Sequence, residues 1–281
     1  MTFSIVARSA DGRFHGVAVA SKFLAVGAAV PAAEAEVGAL ATQAYANLAY
    51  RPQGLALLRT GLPADQVVAA LVAADRGRAQ RQIGVVGPDG DGATYTGDGC
   101  HDWAGGLAGP GWAVQGNILA GPQVLDAMRD AWLAGTEQQR FAERLVAALH
   151  AGDRAGGDRR GRQSAAVLVV AKDSGYGGTS DIAVDLRVDD HPDPVAELTR
   201  LLGVHVMLFE RPDPATLLEL TGPLADEVRD LLAAAGHGRA ELDDALASWA
   251  GVENLEERLA PGRIDPVVLA HLRTTTSAKL G

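Results

Sequence analysis

The sequence predicts an α+β fold in which two pairs of helices cover two antiparallel sheets as four layers, followed by a small all-α domain. Short strand-like segments with hairpin turns alternate with helical pairs, in the order strands, helices, strands, helices, strands. This order differs from the strict strand–helix alternation of a doubly wound parallel sheet. Beyond residue 190 the pattern is helical throughout.

The first strands are indicated by alternation and by a hairpin signal. Residues 3–7 alternate, Asp11-Gly12 is a hairpin dipeptide, and a strand-like run follows at 16–20. Residues 36–43 form a further candidate strand. Helical spacing then covers 51–74, and the sequence Gly-Leu-Pro at its middle divides it into two helices.

The second half of this domain repeats the order. Strands are predicted at 81–86 and 93–96 around a Pro-Asp-Gly-Asp-Gly turn, and 103–117 is expected to be extended. The remaining elements are two helices at 122–132 and 138–149, a Gly/Arg loop at 152–162, a buried strand at 165–171 and its alternating partner at 182–188.

A boundary is expected at 189–194, which divides the chain into domains 1–190 and 191–281. Two Asp-Pro pairs, at 213 and 265, place proline directly after a good N-cap residue. The predicted helices are 194–209, 214–220, 223–235, 240–249 and 264–273.

Composition excludes several classes of protein. The 281 residues carry 25 Lys+Arg and 35 Asp+Glu, a net charge of −10, which argues against a nucleic-acid partner. A single cysteine, Cys100, excludes an intrachain disulfide. No apolar run reaches the roughly 18–20 residues that span a bilayer, and the first residues lack the pattern of a signal peptide. We therefore expect a cytoplasmic protein without a membrane partner.

Motifs for phosphate loops, dinucleotide folds, nucleophile elbows and zinc helices are absent from the sequence. What remains is Thr2, which directly precedes a strand. Removal of Met1 would leave Thr2 with a free α-amine, whose pKa of roughly 7.7–8.0 suits a general base. One N-terminal threonine then supplies both base and nucleophile.

Long segments of the chain resemble the DUF1028 family, which is assigned to the N-terminal-nucleophile hydrolase superfamily. They include MTFSIVAR at 1–8, GVAVASKFLAVGAAVP at 16–31, GALATQAYAN at 38–47, WAVQGNILAG at 112–121 and GGDRRGRQSAAVLVV at 156–170. The resemblance implies the four-layer α/β/β/α sandwich of that superfamily. Residues 249–272 resemble the small helical domain found behind this family and named for peptidoglycan binding, for which we expect a packing or oligomerisation role.

Candidate site residues follow from this layout. Lys22 would lower the pKa of the Thr2 amine or hydroxyl, and Ser21 would relay a proton. Gln43, Tyr45 and Asn47 would share one face after a strand, where an amide could form an oxyanion hole. Without catalysis, Lys22 would be a surface lysine and Ser21 a strand-end hydroxyl that bonds to the backbone. Gln43, Tyr45 and Asn47 would then belong to a capped turn between a strand and a helix. The full set is Thr2, Ser21, Lys22 and Asn47 as catalytic residues, and Gln43, Tyr45, Gln115, Asn117, Arg159 and Arg162 as substrate-binding residues.

The function predicted is hydrolysis of a small linear or cyclic amide by Thr2 without metal or organic cofactor. An arginine of the 159–162 cluster could hold a carboxylate of the substrate, or the cluster could form a salt-bridge network with Asp185, Asp189 or Asp190. Two alternatives stay open. The fold could serve as a non-catalytic binding or scaffold protein, or the nucleophile could be Ser21 or Cys100. A homodimer is a further possibility, because sheet edges can pair between subunits.

Overall fold

The computed structural model describes residues 2–238 and 241–280, and for 277–280 the backbone only. The chain forms two compact units that divide after Leu202. The strands are β1 (Thr2–Arg8), β2 (His15–Ser21), β3 (Pro31–Glu34), β4 (Gly38–Ala44), β5 (Arg81–Val86), β6 (Gly92–Thr96), β7 (Gly105–Gly109), β8 (Trp112–Asn117), β9 (Ser164–Val170), β10 (Ile182–Val188), β11 (Leu218–Glu219) and β12 (Arg263–Ile264). The α-helices are α1 (Val26–Ala29), α2 (Tyr50–Arg59), α3 (Ala64–Ala74), α4 (Gln123–Ala134), α5 (Phe141–Arg154), α6 (Pro194–Phe209), α7 (Gly222–Ala234), α8 (Leu242–Val252) and α9 (Pro266–Leu280). Short 3₁₀ helices lie at Arg78–Gln80, Tyr176–Gly178 and Glu256–Arg258.

The first unit contains two antiparallel sheets. One has six strands in the order β10-β9-β2-β1-β8-β7, and the other has four in the order β3-β4-β5-β6. The central position of β1 follows from its hairpin with β2 on one side and its pairing with β8 on the other. The two helical pairs predicted from the sequence are present as α2 with α3 and α4 with α5.

Four layers arise because the strands alternate between two apolar faces. Phe3 and Ile5 of β1 belong to the core that includes α4 and α5, whereas Val6 belongs to a separate core with residues of both sheets. A third core joins the four-stranded sheet to α2 and α3 through residues such as Leu40 and Leu58. The predicted α/β/β/α fold is therefore confirmed.

The division between the units lies twelve residues beyond the boundary expected at 190/191. It falls inside α6, because Val195, Leu198 and Leu202 are buried in the core of the first unit. The sequence signal at 189–194 is a turn between β10 and α6 and does not end the packed unit. The sequence also gave no indication of the short β3 or of α1.

The second unit is mainly helical, with Val228, Leu232, Trp249 and Leu272 in its core. The helix expected at 214–220 is not formed, because Leu218 and Glu219 pair with β12. The Asp265 side chain accepts a hydrogen bond from the Val267 amide over 2.8 Å, as predicted for an N-cap before proline. Across residues 2–238 and 241–280, every helix is too short or too polar to cross a membrane.

Candidate active site

Thr2 is the first residue of the central strand β1 and is 6% exposed. Its hydroxyl lies 3.1 Å from that of Ser21, the last residue of β2, within hydrogen-bond distance. The register of the β1–β2 hairpin explains this contact, because Phe3 pairs with Ala20 and so places the start of β1 next to the end of β2. The structure thus brings together the hydroxyl groups of Thr2 and Ser21, both of which are candidate catalytic residues from the sequence.

Alternation along β1 gives the space between the sheets an apolar end and a polar end. Val6 lies in the interlayer core, whereas Ser4 and Thr2, at successive alternate positions, meet polar side chains. We call the polar end the interlayer network. Its members are Thr2, Ser4, Ser21, Gln43, Gln82, Gln115 and Asn117, all of them buried.

Gln43 ties Thr2 to the four-stranded sheet. The Gln115 amide donates to the Ser4 hydroxyl over 2.6 Å, and that hydroxyl donates to Gln43 Oε1 over 2.7 Å. Gln43 Nε2 in turn donates to the carbonyl of Thr2 over 3.2 Å. Gln43 and Gln115 are 1% and 0% exposed, and their hydrogen bonds hold Ser4 and Thr2 in place.

Gln82 and Asn117 complete the network. Gln82 Oε1 accepts from Gln43 Nε2 over 2.8 Å and from Asn117 Nδ2 over 2.9 Å, and Gln82 Nε2 donates to the carbonyl of Gly116 over 2.7 Å. Asn117 pairs with Thr2 in the β1–β8 register. Its backbone therefore lies directly opposite that of Thr2 in the six-stranded sheet.

Sequence reasoning missed Ser4 and Gln82. Both carried a signal, because each is a polar residue inside an otherwise apolar strand, at 3–7 and 81–86 respectively. Ser4 stands two positions after Thr2 and so shares its face of the strand.

Gly84 makes room for the network. A Cβ at this position would lie 2.5 Å from the side-chain carbon Cδ of Gln115 and would overlap its oxygen. The Gln115 oxygen has no hydrogen-bond partner among the described residues. The two sheets therefore approach closely here, and β5 requires glycine for the Gln115 amide to fit.

Lys22 does not turn toward Thr2. Its backbone N–H donates to Asp158 Oδ2 over 2.7 Å and its Nζ donates to the carbonyl of Arg162 over 3.3 Å. The lysine follows the last residue of β2, where alternation sends its side chain away from the interlayer face. Its assignment as a catalytic residue has no support in these contacts.

Tyr45 and Asn47 do not continue the face of Gln43. Strand β4 ends at Ala44, which has a φ of 66°, so the alternation stops there. Tyr45 is 58% exposed. Asn47 Nδ2 donates to Asp75 over 3.1 Å, and its Oδ1 accepts from the amide of Ala49.

Asp75 is the centre of a separate cluster beside the network. It accepts hydrogen bonds from Arg81 Nε over 2.8 Å, the Gly77 amide over 2.7 Å and the Tyr50 hydroxyl over 3.0 Å, besides that of Asn47. The Arg81 bond, followed by that from Gly77, lowers the pKa of Asp75 below its ordinary value. Burial, with the Asp75 hydrogen bond second, raises the pKa of Tyr50. Asn47 therefore serves this structural cluster.

Two arginines of the 157–162 loop, Arg160 and Arg162, are paired with nearby acids. Arg162 Nε donates to both oxygens of Asp153 over 2.8 and 3.0 Å, and this bond raises the pKa of Arg162. Arg160 pairs with Asp158. Arg159 is exposed and donates its backbone N–H to the carbonyl of Ile118, which directly follows Asn117. Both predicted arginines are thus bonded through their backbone to a residue that follows a member of the network, Arg159 to Ile118 and Arg162 to Lys22.

Cys100, the alternative nucleophile, is half-buried and donates to the carbonyl of Arg81 over 3.4 Å. Burial raises the pKa of its thiol, which disfavours the reactive thiolate. Within the described residues no three His, Cys, Asp or Glu side chains come together as a metal site would need.

Comparisons with known proteins place the chain among relatives of undefined activity. The model of a family described as "Family of unknown function (DUF1028)" matches residues 2–198. A second, described as "Putative peptidoglycan binding domain", matches residues 208–272. No curated protein matches.

Two solved structures are similar to different degrees. The crystal structure of protein SPO2555 from Silicibacter pomeroyi, of family DUF1028, has 31% identity and a TM-score of 0.66, covering 80% of this chain and 92% of that one. The Anbu Gly-1 mutant from Hyphomicrobium sp. strain MC1 has 11% identity and a TM-score of 0.37, covering 73% and 95%. At that score the second likeness is too low to establish a shared fold.

Proposed function

We propose that this chain, which belongs to the DUF1028 family, is an amidohydrolase of the N-terminal-nucleophile type with Thr2 as its nucleophile. One observation carries the proposal. The Thr2 hydroxyl lies at the start of the central strand, 3.1 Å from the Ser21 hydroxyl, at the polar end of an otherwise apolar interlayer space. Buried polar groups of this kind are costly unless paired, so their concentration at one end favours a functional role.

The proposed chemistry begins with cleavage of the Met1–Thr2 peptide bond, which gives Thr2 a free α-amine. The neutral amine takes the proton of the Thr2 hydroxyl, and Oγ1 attacks the carbonyl carbon of an amide. The carbon–nitrogen bond breaks as the proton passes to the leaving nitrogen. Water then attacks the resulting ester, releases the carboxylic acid and restores the hydroxyl.

Two neighbours support these steps. The Ser21 hydroxyl is within reach of Oγ1 and can orient it or pass a proton to the amine. Asn117 uses one N–H of its amide on Gln82 Oε1 and pairs with Thr2 across the β1–β8 register. Its second N–H is our candidate donor to the oxyanion.

A non-catalytic binding or scaffold function is the second candidate. The near-complete burial of Thr2, Ser21 and Asn117, at 6%, 2% and 2% exposed, favours it, since a substrate must reach the nucleophile. The two candidates differ in whether the Thr2 hydroxyl becomes acylated.

The test uses a β-lactone that carries a benzyl group beside its carbonyl. Attack by Oγ1 opens the lactone ring, the ring oxygen takes the proton, and the protein gains the whole mass of the reagent. Intact mass and N-terminal sequencing first establish that Thr2 is free, and peptide mapping then locates the adduct. An adduct on Thr2 that neutral hydroxylamine removes is an ester and supports the proposal, because acylation of the amine gives an amide that resists hydroxylamine.

Thr2→Ala and Ser9→Ala are the matched variants. Thr2→Ala should lose the adduct, whereas Ser9→Ala removes a hydroxyl that lies outside the network and bonds to Asp11. Equal labelling of the Thr2→Ala protein, or none in a wild-type protein with a free Thr2, would overturn the assignment in favour of a binding function.

A further inference from the structure

Exposed apolar side chains are concentrated on the two loops that leave the Thr2 end of the sheets. Among residues 2–202, seven large apolar side chains are exposed, and four of these lie in the loops after β2 and β4. The four are Phe23, Leu24, Tyr45 and Leu48, at 55%, 60%, 58% and 52% exposed. We call them the apolar rim.

Both loops start at residues that touch Thr2. Phe23 lies two residues after Ser21, and the Ser21 hydroxyl is 3.1 Å from that of Thr2. Tyr45 lies two residues after Gln43, and the side-chain amide of Gln43 donates to the Thr2 carbonyl. Two residues of chain separate Cα atoms by at most about 8 Å. The rim therefore begins within about 8 Å, between Cα atoms, of two residues that contact Thr2, one in each sheet.

The first loop is held by hydrogen bonds to its backbone. The amide of Lys22 donates to Asp158, the carbonyl of Phe23 accepts from the Ser164 hydroxyl over 2.5 Å, and the amide of Ala25 donates to the carbonyl of Asp189 over 2.9 Å. Phe23 and Leu24 are thus exposed on a loop whose backbone is held in place by hydrogen bonds.

The second loop is held in the same way. The amide of Tyr45 donates to the carbonyl of Gln80 over 3.2 Å, and its carbonyl accepts from Arg81 Nη1 over 2.6 Å. The Tyr45 ring lies beside that of His101, with centroids 6.2 Å apart. Both loops therefore present apolar groups in set positions, which lowers the entropy lost when a ligand binds.

We infer that the apolar rim binds an apolar substituent next to the scissile carbonyl, so that the substrates are amides of apolar acyl groups; this rests on the proposed function. The two groups of residues would contact different parts of the substrate. The interlayer network offers polar groups to the reacting carbonyl, and the rim offers apolar surface to what flanks it.

The experiment compares two β-lactones of the same ring, one with a benzyl and one with a carboxymethyl substituent beside the carbonyl. Rates of ester formation on free Thr2 are measured by intact mass. Burial of one aromatic group against the rim predicts that the benzyl reagent reacts at least about tenfold faster. The double variant Phe23→Ser/Tyr45→Ser should lose most of that factor, so that its rates with the two reagents approach each other.

Tyr176→Ser is the control, because Tyr176 is 61% exposed on the β9–β10 connection, away from both rim loops. Leu24→Ser gives a second rim variant, and thermal unfolding checks that each protein is folded. Equal rates for the two reagents, or a preference for the carboxymethyl group, would refute the apolar substrate class while leaving Thr2 as nucleophile. Absence of any ester removes the proposed function and this inference with it.

A second copy of the chain is the alternative binding partner of the rim. Light scattering after size-exclusion chromatography measures the oligomeric state and so distinguishes a dimer interface from a substrate site. A wild-type dimer that becomes a monomer in the Phe23→Ser/Tyr45→Ser protein, with labelling rates unchanged, would identify the rim as a subunit interface and overturn the inference.

Discussion

The side-chain amide of Gln43 donates to the main-chain carbonyl of Thr2 over 3.2 Å, so the four-stranded sheet holds the first residue of the six-stranded sheet's central strand. The same amide group bonds to Gln82 Oε1 and accepts from Ser4. One buried side chain thereby sets the position of the proposed nucleophile.

Gln43→Ala should destabilise the protein by about 2–4 kcal/mol, because it leaves the Ser4 hydroxyl and Gln82 Oε1 short of partners and opens a cavity. Gln53→Ala, at an exposed position of α2, should change stability by less than about 0.5 kcal/mol. Urea unfolding of both variants gives the comparison. Similar midpoints would show that the network contributes little to stability.

Gly84→Ala should lower the free energy of unfolding by about 1–3 kcal/mol, because the new methyl group overlaps the buried Gln115 amide between the sheets. Gly203→Ala should have the opposite sign, a gain of about 0.5–1 kcal/mol, since Gly203 lies within α6 and a Cβ there would have no neighbouring atom within 4 Å. Thermal unfolding monitored by circular dichroism measures both. A tolerated Gly84→Ala would contradict the close approach of β5 and β8.

His15 should make stability depend on pH in mildly acidic solution. It is 1% exposed, and burial, with the Arg8 charge second, lowers its pKa from 6.5 to about 4. The unfolded chain then binds the extra proton first, so the free energy of unfolding falls as the pH drops from 6.5 toward 4, by up to about 3 kcal/mol.

His15→Gln removes this titration, and its free energy of unfolding should vary less over the same window. The lowered pKa of Asp75 reduces stability mainly below pH 3.8, and its contribution is common to the wild type and the variant. Urea midpoints at several pH values between 4 and 7 provide the data. A variant curve as steep as that of the wild type would assign the dependence to another group.

Arg258 and Asp265 form a buried ion pair in the second unit, with side chains 5% and 4% exposed and a distance of 2.5 Å. Arg258→Ala should cost about 3–5 kcal/mol, because the Asp265 carboxylate stays buried without its charge partner. Arg263→Ala is the matched control, since its pair with Glu219 is exposed and worth at most about 1 kcal/mol. If chemical unfolding shows that both variants lose the same free energy of unfolding, the buried pair is worth no more than the exposed one, which would contradict this prediction.

Local patterns predicted most of the secondary structure. Alternation and hairpin dipeptides located β1, β2 and β5, and helical spacing broken by Gly-Leu-Pro located α2 and α3. These elements depend on neighbours in the chain and are therefore visible in the sequence. The helix expected at 214–220 was wrong because a pairing partner more than forty residues away, β12, decided the conformation.

For the candidate site, the sequence by itself determined which hydroxyl groups could meet. Thr2 and Ser21 end two strands of one hairpin, so their proximity follows from local register. The tertiary structure decided what surrounds them. Gln43 and Gln82 reach Thr2 and Asn117 only because a second sheet packs across the first. The φ of 66° at Ala44 ends the alternation of β4, so Tyr45 and Asn47 do not share the face of Gln43. Packing between layers joins residues that are distant in sequence, and no periodicity along the chain encodes which of them will touch.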